Sequence, residues 1–212
     1  MGNILLELGQ LKDAADHFEW AVAYNPEFDT AHNNLGSTLL ALGQVDAAVE
    51  SYEKALAVNP DYAEAHNNLG NAFRELGQLD DSVKCYKKAL TLKPDYSRAQ
   101  NNLGIAFKQL GQFDDAVECY EKAIVIQPDY VEAYNNLGNT FRELGQLDDA
   151  VKSYEKAIDL NPDYAYAYNN LGNVFKDIGQ VDAAIECYEK ALTINPDFTG
   201  VQNNLSNAKA LK

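Results

Sequence analysis

The sequence predicts an all-α fold, a solenoid of short antiparallel helix pairs, and three observations carry that prediction. Proline occurs only at Pro26, Pro60, Pro94, Pro128, Pro162 and Pro196, each 34 residues after the one before. An Asn-Asn pair keeps the same step from Asn33-Asn34 to Asn203-Asn204, and glycine pairs hold one register from Gly36/Gly43 to Gly172/Gly179. Within each period, apolar and small residues fall twice at helical spacing. Self-similarity at a fixed period of roughly 20–50 residues marks a chain of stacked units, each too small to bury its apolar face alone.

Counting Ala63 as the first position of a unit, the chain is a single array. It holds a partial repeat at 1–28, full repeats at 29–62, 63–96, 97–130, 131–164 and 165–198, and a terminal helix at 199–212. The half-patterns at both ends, with Met1 where the other repeats carry Leu, imply a piece of a longer chain.

The first helix of each repeat is read from His66, Leu69, Gly70 and Phe73, which fall at i, i+3, i+4 and i+7. Asp61, with Glu64 three residues on, predicts a capping box at its start, and Gly77 ends it. Asp80 predicts the N-cap of the second helix, with Leu79 before it as a staple residue. Val83, Tyr86, Ala89 and Leu90 give that helix its apolar stripe, and Pro94 stops it. Connections this short permit only antiparallel neighbours.

His66, Leu69, Gly70, Phe73, Gly77, Tyr86, Ala89 and Pro94 together resemble the tetratricopeptide repeat family, and the likeness covers essentially the whole chain. Ser82 departs from it, where Ala48, Ala116, Ala150 and Ala184 stand in other repeats. The resemblance implies an α-α superhelix, a right-handed solenoid whose first helices line a concave groove.

At ~100° per residue, Glu64, Asn68, Asn71 and Glu75 lie roughly opposite the packed face. One row of amides is therefore expected along the groove: Asn34, Asn68, Asn102, Asn136, Asn170 and Asn204. Asn3, Asn71, Asn139, Asn173 and Asn207 form a second row, with Ser37 and Ile105 as its exceptions. Asn67 and its equivalents are expected at the flank, beside Arg74, Lys108, Arg142 and Lys176. Asn is worse than Ala in a helix interior by up to ~0.7 kcal/mol, so the amides need a return. A carboxamide can pair with both the N–H and the C=O of an extended peptide. The arrangement is similar to the asparagine ladder of O-linked N-acetylglucosamine transferases, a resemblance that implies capture of substrate polypeptides by their backbone. If the amides served a ligand alone, Ala in their place would leave folding intact or improve it.

Charge separates this face from the rest. Arg74, Arg98, Lys108, Arg142 and Lys176 face Glu7, Glu64, Glu75, Glu132, Glu143 and Asp177, five basic against six acidic, leaving −14 of the total −15 elsewhere. An acidic exterior excludes nucleic acid, which needs a basic stripe. No apolar run approaches the ~18 residues of a membrane span, and no signal-peptide pattern is present. Of the carboxylate clamp by which some family members bind chaperone tails, Arg98 is the sole matching type.

Nothing in the sequence assembles a catalytic, cofactor or metal site. His32 and His66 occupy a packing position filled elsewhere by Tyr134 and Tyr168, and His17 shares its position with Cys85, Cys119 and Cys187. Equivalent helices stand at least ~8–10 Å apart, beyond the ~7 Å Cα reach of a disulfide. Free thiols point to a reducing compartment, hence to the cytoplasm. The expected function is a non-enzymatic protein-interaction module that binds an extended peptide or protein segment. The alternatives are a scaffold that self-associates end to end and the substrate adaptor of a larger enzyme such as a glycosyltransferase.

Overall fold

A computed structural model describes residues 2–211, without the side chains of Asn3, Leu6 and Glu7. The chain forms two compact units, 1–110 and 111–212. The first comprises α1 (Gly2–Glu7), α2 (Leu11–Tyr24), α3 (Asp29–Ala41), α4 (Val45–Val58), α5 (Ala63–Glu75), α6 (Leu79–Leu92) and α7 (Ser97–Gln109). The second comprises α8 (Phe113–Ile126), α9 (Val131–Glu143), α10 (Leu147–Leu160), α11 (Ala165–Asp177), α12 (Val181–Ile194) and α13 (Thr199–Ala210). No strand occurs among the described residues. In each unit a helix packs chiefly on its neighbours in sequence, α4 on α3 and α5, and α11 on α10 and α12.

The glycine stop is as expected. Gly77 adopts φ +74°, its N–H donates to the Arg74 carbonyl at 3.1 Å, and the Gln78 N–H reaches the Phe73 carbonyl at 2.8 Å. This is the Schellman closure, which only a residue tolerant of the left-handed region makes without strain.

The helix starts differ from expectation. The residue before α6 is Gln78, and Asp80 and Asp81 lie inside its first turn. Tyr62 precedes α5, and Asp61 stands outside the helix without a capping bond. Asp80 and Asp81 still favour the start, because carboxylates in the first turn oppose the positive end of the helix dipole.

One contact recurs in both cores. Tyr52, Tyr86, Tyr154 and Tyr188 are wholly or almost wholly buried, each against the glycine sixteen residues earlier on the preceding helix. A Cβ on Gly70 would stand 2.6 Å from Tyr86 Cε1, and one on Gly36, Gly138 or Gly172 would stand 2.7 Å from its own Tyr. Burying such a ring removes roughly 150–250 Å² from water, on the order of 4 kcal/mol at about 25 cal/mol per Å². The Gly of the Leu-Gly pair on α3, α5, α9 and α11 is thus the seat of the Tyr on the helix that follows. Ser82, the departure from Ala, is buried with its hydroxyl donating to the Gly70 carbonyl at 2.8 Å.

Candidate functional site

The Asn-Asn pairs occupy two different environments. Asn33, Asn67, Asn101 and Asn135, the first of four pairs, are buried on the packed side of their helices, whereas Asn169 is half-buried and Asn203 exposed. The second of each pair, Asn34, Asn68, Asn102, Asn136, Asn170 and Asn204, is half-buried on the face opposite Leu-Gly. Burial of the first Asn corrects the expected placement: α3, α5 and α9 are each packed on the helix before and the helix after, so the buried arc exceeds the stripe read from His66 to Phe73.

The first Asn of a pair accepts from the second Asn of the next repeat at four places. Asn68 Nδ2 donates to Asn33 Oδ1 at 3.0 Å, and Asn102 Nδ2 donates to Asn67 Oδ1 at 3.0 Å. In the second unit Asn170 donates to Asn135 at 2.9 Å and Asn204 to Asn169 at 3.0 Å. Within a pair, Asn67 Nδ2 donates to Asn68 Oδ1 and Asn169 Nδ2 to Asn170 Oδ1, both at 3.2 Å. The row is therefore a brace between successive repeats. Removing a rung leaves a buried acceptor unpaired, so the expectation that Ala would leave folding intact does not hold. Each rung still has capacity: Asn68 and Asn170 each commit one of two N–H donors and one of two lone pairs to these bonds.

The second row is tied to the core. Tyr86 Oη donates to Asn71 Oδ1 at 2.7 Å, and Tyr154 and Tyr188 donate to Asn139 and Asn173 at 2.9 Å. Ser37, an exception in sequence, serves the same purpose by accepting from Tyr52 at 3.1 Å. No spacing rule signalled this, since the partners sit on different helices. The side chain of Asn3, assigned to this row, lies outside those described, and Asn207 is exposed. Burial pushes the Tyr52 phenol up to about 12, against the pull of the Ser37 hydrogen bond.

The four basic positions, Arg74, Lys108, Arg142 and Lys176, are half-buried. Arg142 is committed: its Nε and Nη2 both donate to Asp177 Oδ2, at 2.9 and 2.7 Å. Arg98, at 3.9 Å from Glu64, makes a looser pair. Among the described residues Arg74 makes no ion pair and its buried Nε has no hydrogen-bond partner. Its guanidinium sits by Tyr86, whose phenol burial pushes up while the polar groups of Ser82 and Arg74 beside it pull it back.

His32 and His66 point their Nε2 at the carbonyls of Pro26 and Pro60, both at 2.9 Å, and Gln202 donates to Pro196 in the same way at 2.8 Å. They brace the inter-repeat turn. Cys85, Cys119 and Cys187 form no disulfide, and burial pushes the Cys85 and Cys187 thiols up to about 11. Among the described residues no three or more His, Cys, Asp or Glu side chains group as metal ligands, and no helix is long and apolar enough to cross a membrane.

A stacked helix pair with Leu-Gly seating a Tyr, a Gly stop and a Pro turn, repeated at 34 residues, is matched by family profiles along the sequence. The TPR repeat profile matches residues 36–73, 70–111, 106–141 and 138–179, and tetratricopeptide repeat profiles match 1–51 and 165–198. The chain belongs to the tetratricopeptide repeat family. Its all-α, superhelical-repeat fold class follows, as the sequence predicts. Among solved TPR structures, MamA is 27% identical over 78% of this chain and 97% of its own, with a TM-score of 0.69. YrrB, described as a TPR protein with an unusual peptide-binding site, is 23% identical over 89% of this chain and 97% of its own, at 0.67. PilF of Pseudomonas aeruginosa is 21% identical over 100% of this chain and 94% of its own, at 0.83. The latter two speak to the TPR fold alone. No curated protein matches the chain.

Proposed function

We propose that this TPR array is a non-catalytic binding module that holds an extended peptide along the first-helix face of each unit, chiefly by the peptide's backbone. The observation that carries the reading is the spare valence of the rungs. After bracing their neighbours, Asn68 and Asn170 each keep one N–H and one lone pair on a half-buried amide. One donor and one acceptor are what a peptide group requires. The resemblance to the ladder of O-linked N-acetylglucosamine transferases supports the same reading. At a net ~1 kcal/mol per hydrogen bond, a few rungs give micromolar binding at best once peptide ordering is subtracted.

The test separates bracing from binding. Asn68→Ala removes a rung, whereas Asn33→Ala removes only its buried partner. Fluorescence anisotropy with labelled, uncharged, unstructured ten-residue peptides, well below both melting points, should show Asn68→Ala weakening binding about fivefold. Asn33→Ala should leave affinity within twofold of the parent. Equal affinities for the two variants would reduce the ladder to a brace.

A second reading is self-association. On α13, Asn203 is exposed and Leu205 half-buried, where Asn67 and Leu69 of α5 are buried, so part of a packing face is open. Ser206 stands where Gly70 seats Tyr86, so a copy could not dock in the register of a further repeat without meeting its side chain. Light scattering over a concentration series tests this reading, and a monomer throughout would remove it.

A further inference from the structure

Arg74 and Arg142 stand two repeats apart at the same position, yet their surroundings differ by one charge. Arg142 delivers Nε–H and Nη2–H to the Asp177 carboxylate, which comes from the next first helix, 35 residues on. The residue 35 on from Arg74 is Gln109, on α7, a neutral amide where Arg142 finds a carboxylate. Arg74 Nε is buried without a hydrogen-bond partner, and the side chain makes no ion pair among the described residues. Its head is not loose, however. It lies by the Tyr86 hydroxyl, which donates to Asn71 Oδ1 at 2.7 Å, so the guanidinium is fixed beside the amide rows.

A guanidinium holds carboxylate best when two of its N–H groups act together, and a fixed one loses less freedom on binding. Arg142 with Asp177 displays that arrangement within this chain. A recess of about 260 Å³ opens at that pair, lined by Arg142, Glu143, Leu147 and Asp177. At Arg74 the receptor is present and the built-in anion is not.

We infer that Arg74 is a carboxylate-selecting position of the first unit: it receives an acidic group of a bound peptide in the seat that Asp177 takes on Arg142, while Gln109 yields that seat. The inference rests on the reading of this face as a peptide site and adds to it a charge preference with a defined location. The carboxylate can be an Asp or Glu side chain or a peptide C-terminus, since both offer the same two oxygens. Arg142 is closed to such a ligand as long as Asp177 holds it. The acidic exterior does not supply the preference; it opposes it, so selection requires a specific contact.

The experiment uses labelled ten-residue peptides of Ser and Ala: one with a central Asp, one with Asn in its place, each with a free and an amidated C-terminus. The Asp peptide should bind the full chain about tenfold more tightly than the Asn peptide at low salt. Gln109→Glu, which supplies Arg74 with its own carboxylate and leaves the guanidinium intact, should erase the preference without weakening the Asn peptide. Arg74→Gln should do the same, with circular dichroism confirming the fold. Asp177→Asn, which releases Arg142, should restore a preference in the Gln109→Glu background. If the free C-terminus replaces Asp in conferring the tenfold gain, the source is the terminal carboxylate; if amidation changes nothing, it is the side chain. Equal binding of the amidated Asp and Asn peptides with no gain from a free C-terminus, or a carboxylate preference that survives Gln109→Glu, overturns the inference while leaving the peptide reading standing. No binding of any peptide overturns both.

Discussion

Asn68 on α5 donates its amide to the buried oxygen of Asn33 on α3, at 3.0 Å across 35 residues of sequence. The bond joins one repeat to the next and spends half of the donor capacity of a residue that otherwise faces outward. Stability and binding thus draw on the same side chain. Asn68→Ala should lower stability by about 1–2 kcal/mol, since a buried acceptor left unpaired costs ~1–3 kcal/mol and the helix gain of Ala returns up to ~0.7. Urea unfolding checks the value. An unchanged or raised midpoint would show that Asn33 finds another donor.

Gly70 and Gly77 are both required, for opposite reasons. At Gly70 a Cβ would meet the Tyr86 ring at 2.6 Å, whereas at Gly77 nothing stands within 4 Å but φ is +74°. Gly70→Ala should therefore cost about 1–3 kcal/mol through overpacking, less the helix gain of up to ~1. Tyr86→Leu in the same chain should recover part of that loss, because the ring is the obstacle, and Tyr86→Phe should recover none. Gly77→Ala should cost about 1–2 kcal/mol through backbone strain, independent of residue 86. Thermal melts of the four variants separate the two mechanisms.

The stacked tyrosines give the fold an alkaline limit. Burial pushes Tyr52 and Tyr188 up to about 12, above the ordinary 10 they regain when unfolded. A folded pKa above the unfolded one means stabilisation that is complete below about pH 10 and lost as pH rises through about 12. Unfolding followed by circular dichroism should coincide with a step in tyrosinate absorbance over that window. Ionisation of these phenols with the helices intact would contradict their burial.

Cys85 and Cys187 should be slow nucleophiles. Burial raises both thiols from 9.0 to about 11, so the reactive thiolate is about 100-fold scarcer than at the reference value. Alkylation by iodoacetamide at pH 8, read by peptide mass, should proceed at about one hundredth of the rate in urea. A native rate equal to the unfolded one would place these thiols in solvent.

Much of this architecture is legible in the sequence because it is local and repeated. The 34-residue step, the helix pairs, the glycine stops and the two faces of each first helix follow from periodicity and from the few residues able to adopt a given backbone. The helix starts were less legible: several acidic residues stand near each one, and a carboxylate stabilises the first turn whether or not it caps. Asp80 and Asp61 illustrate that ambiguity. The division of labour within each Asn-Asn pair was not legible at all. Adjacent positions on a helix differ by about 100°, and only the packing of a neighbouring helix decides which of the two falls inside the seam. The same holds for Tyr86 on Asn71, and for Arg142, closed by Asp177, against Arg74, for which the residue 35 on is the neutral Gln109. The sequence by itself determined that amides and cations line one face at a fixed step. Which of them remain available to a ligand was decided by tertiary structure, because a side chain's spare hydrogen bonds and charge depend on partners some 15 to 35 residues away that only folding brings within reach.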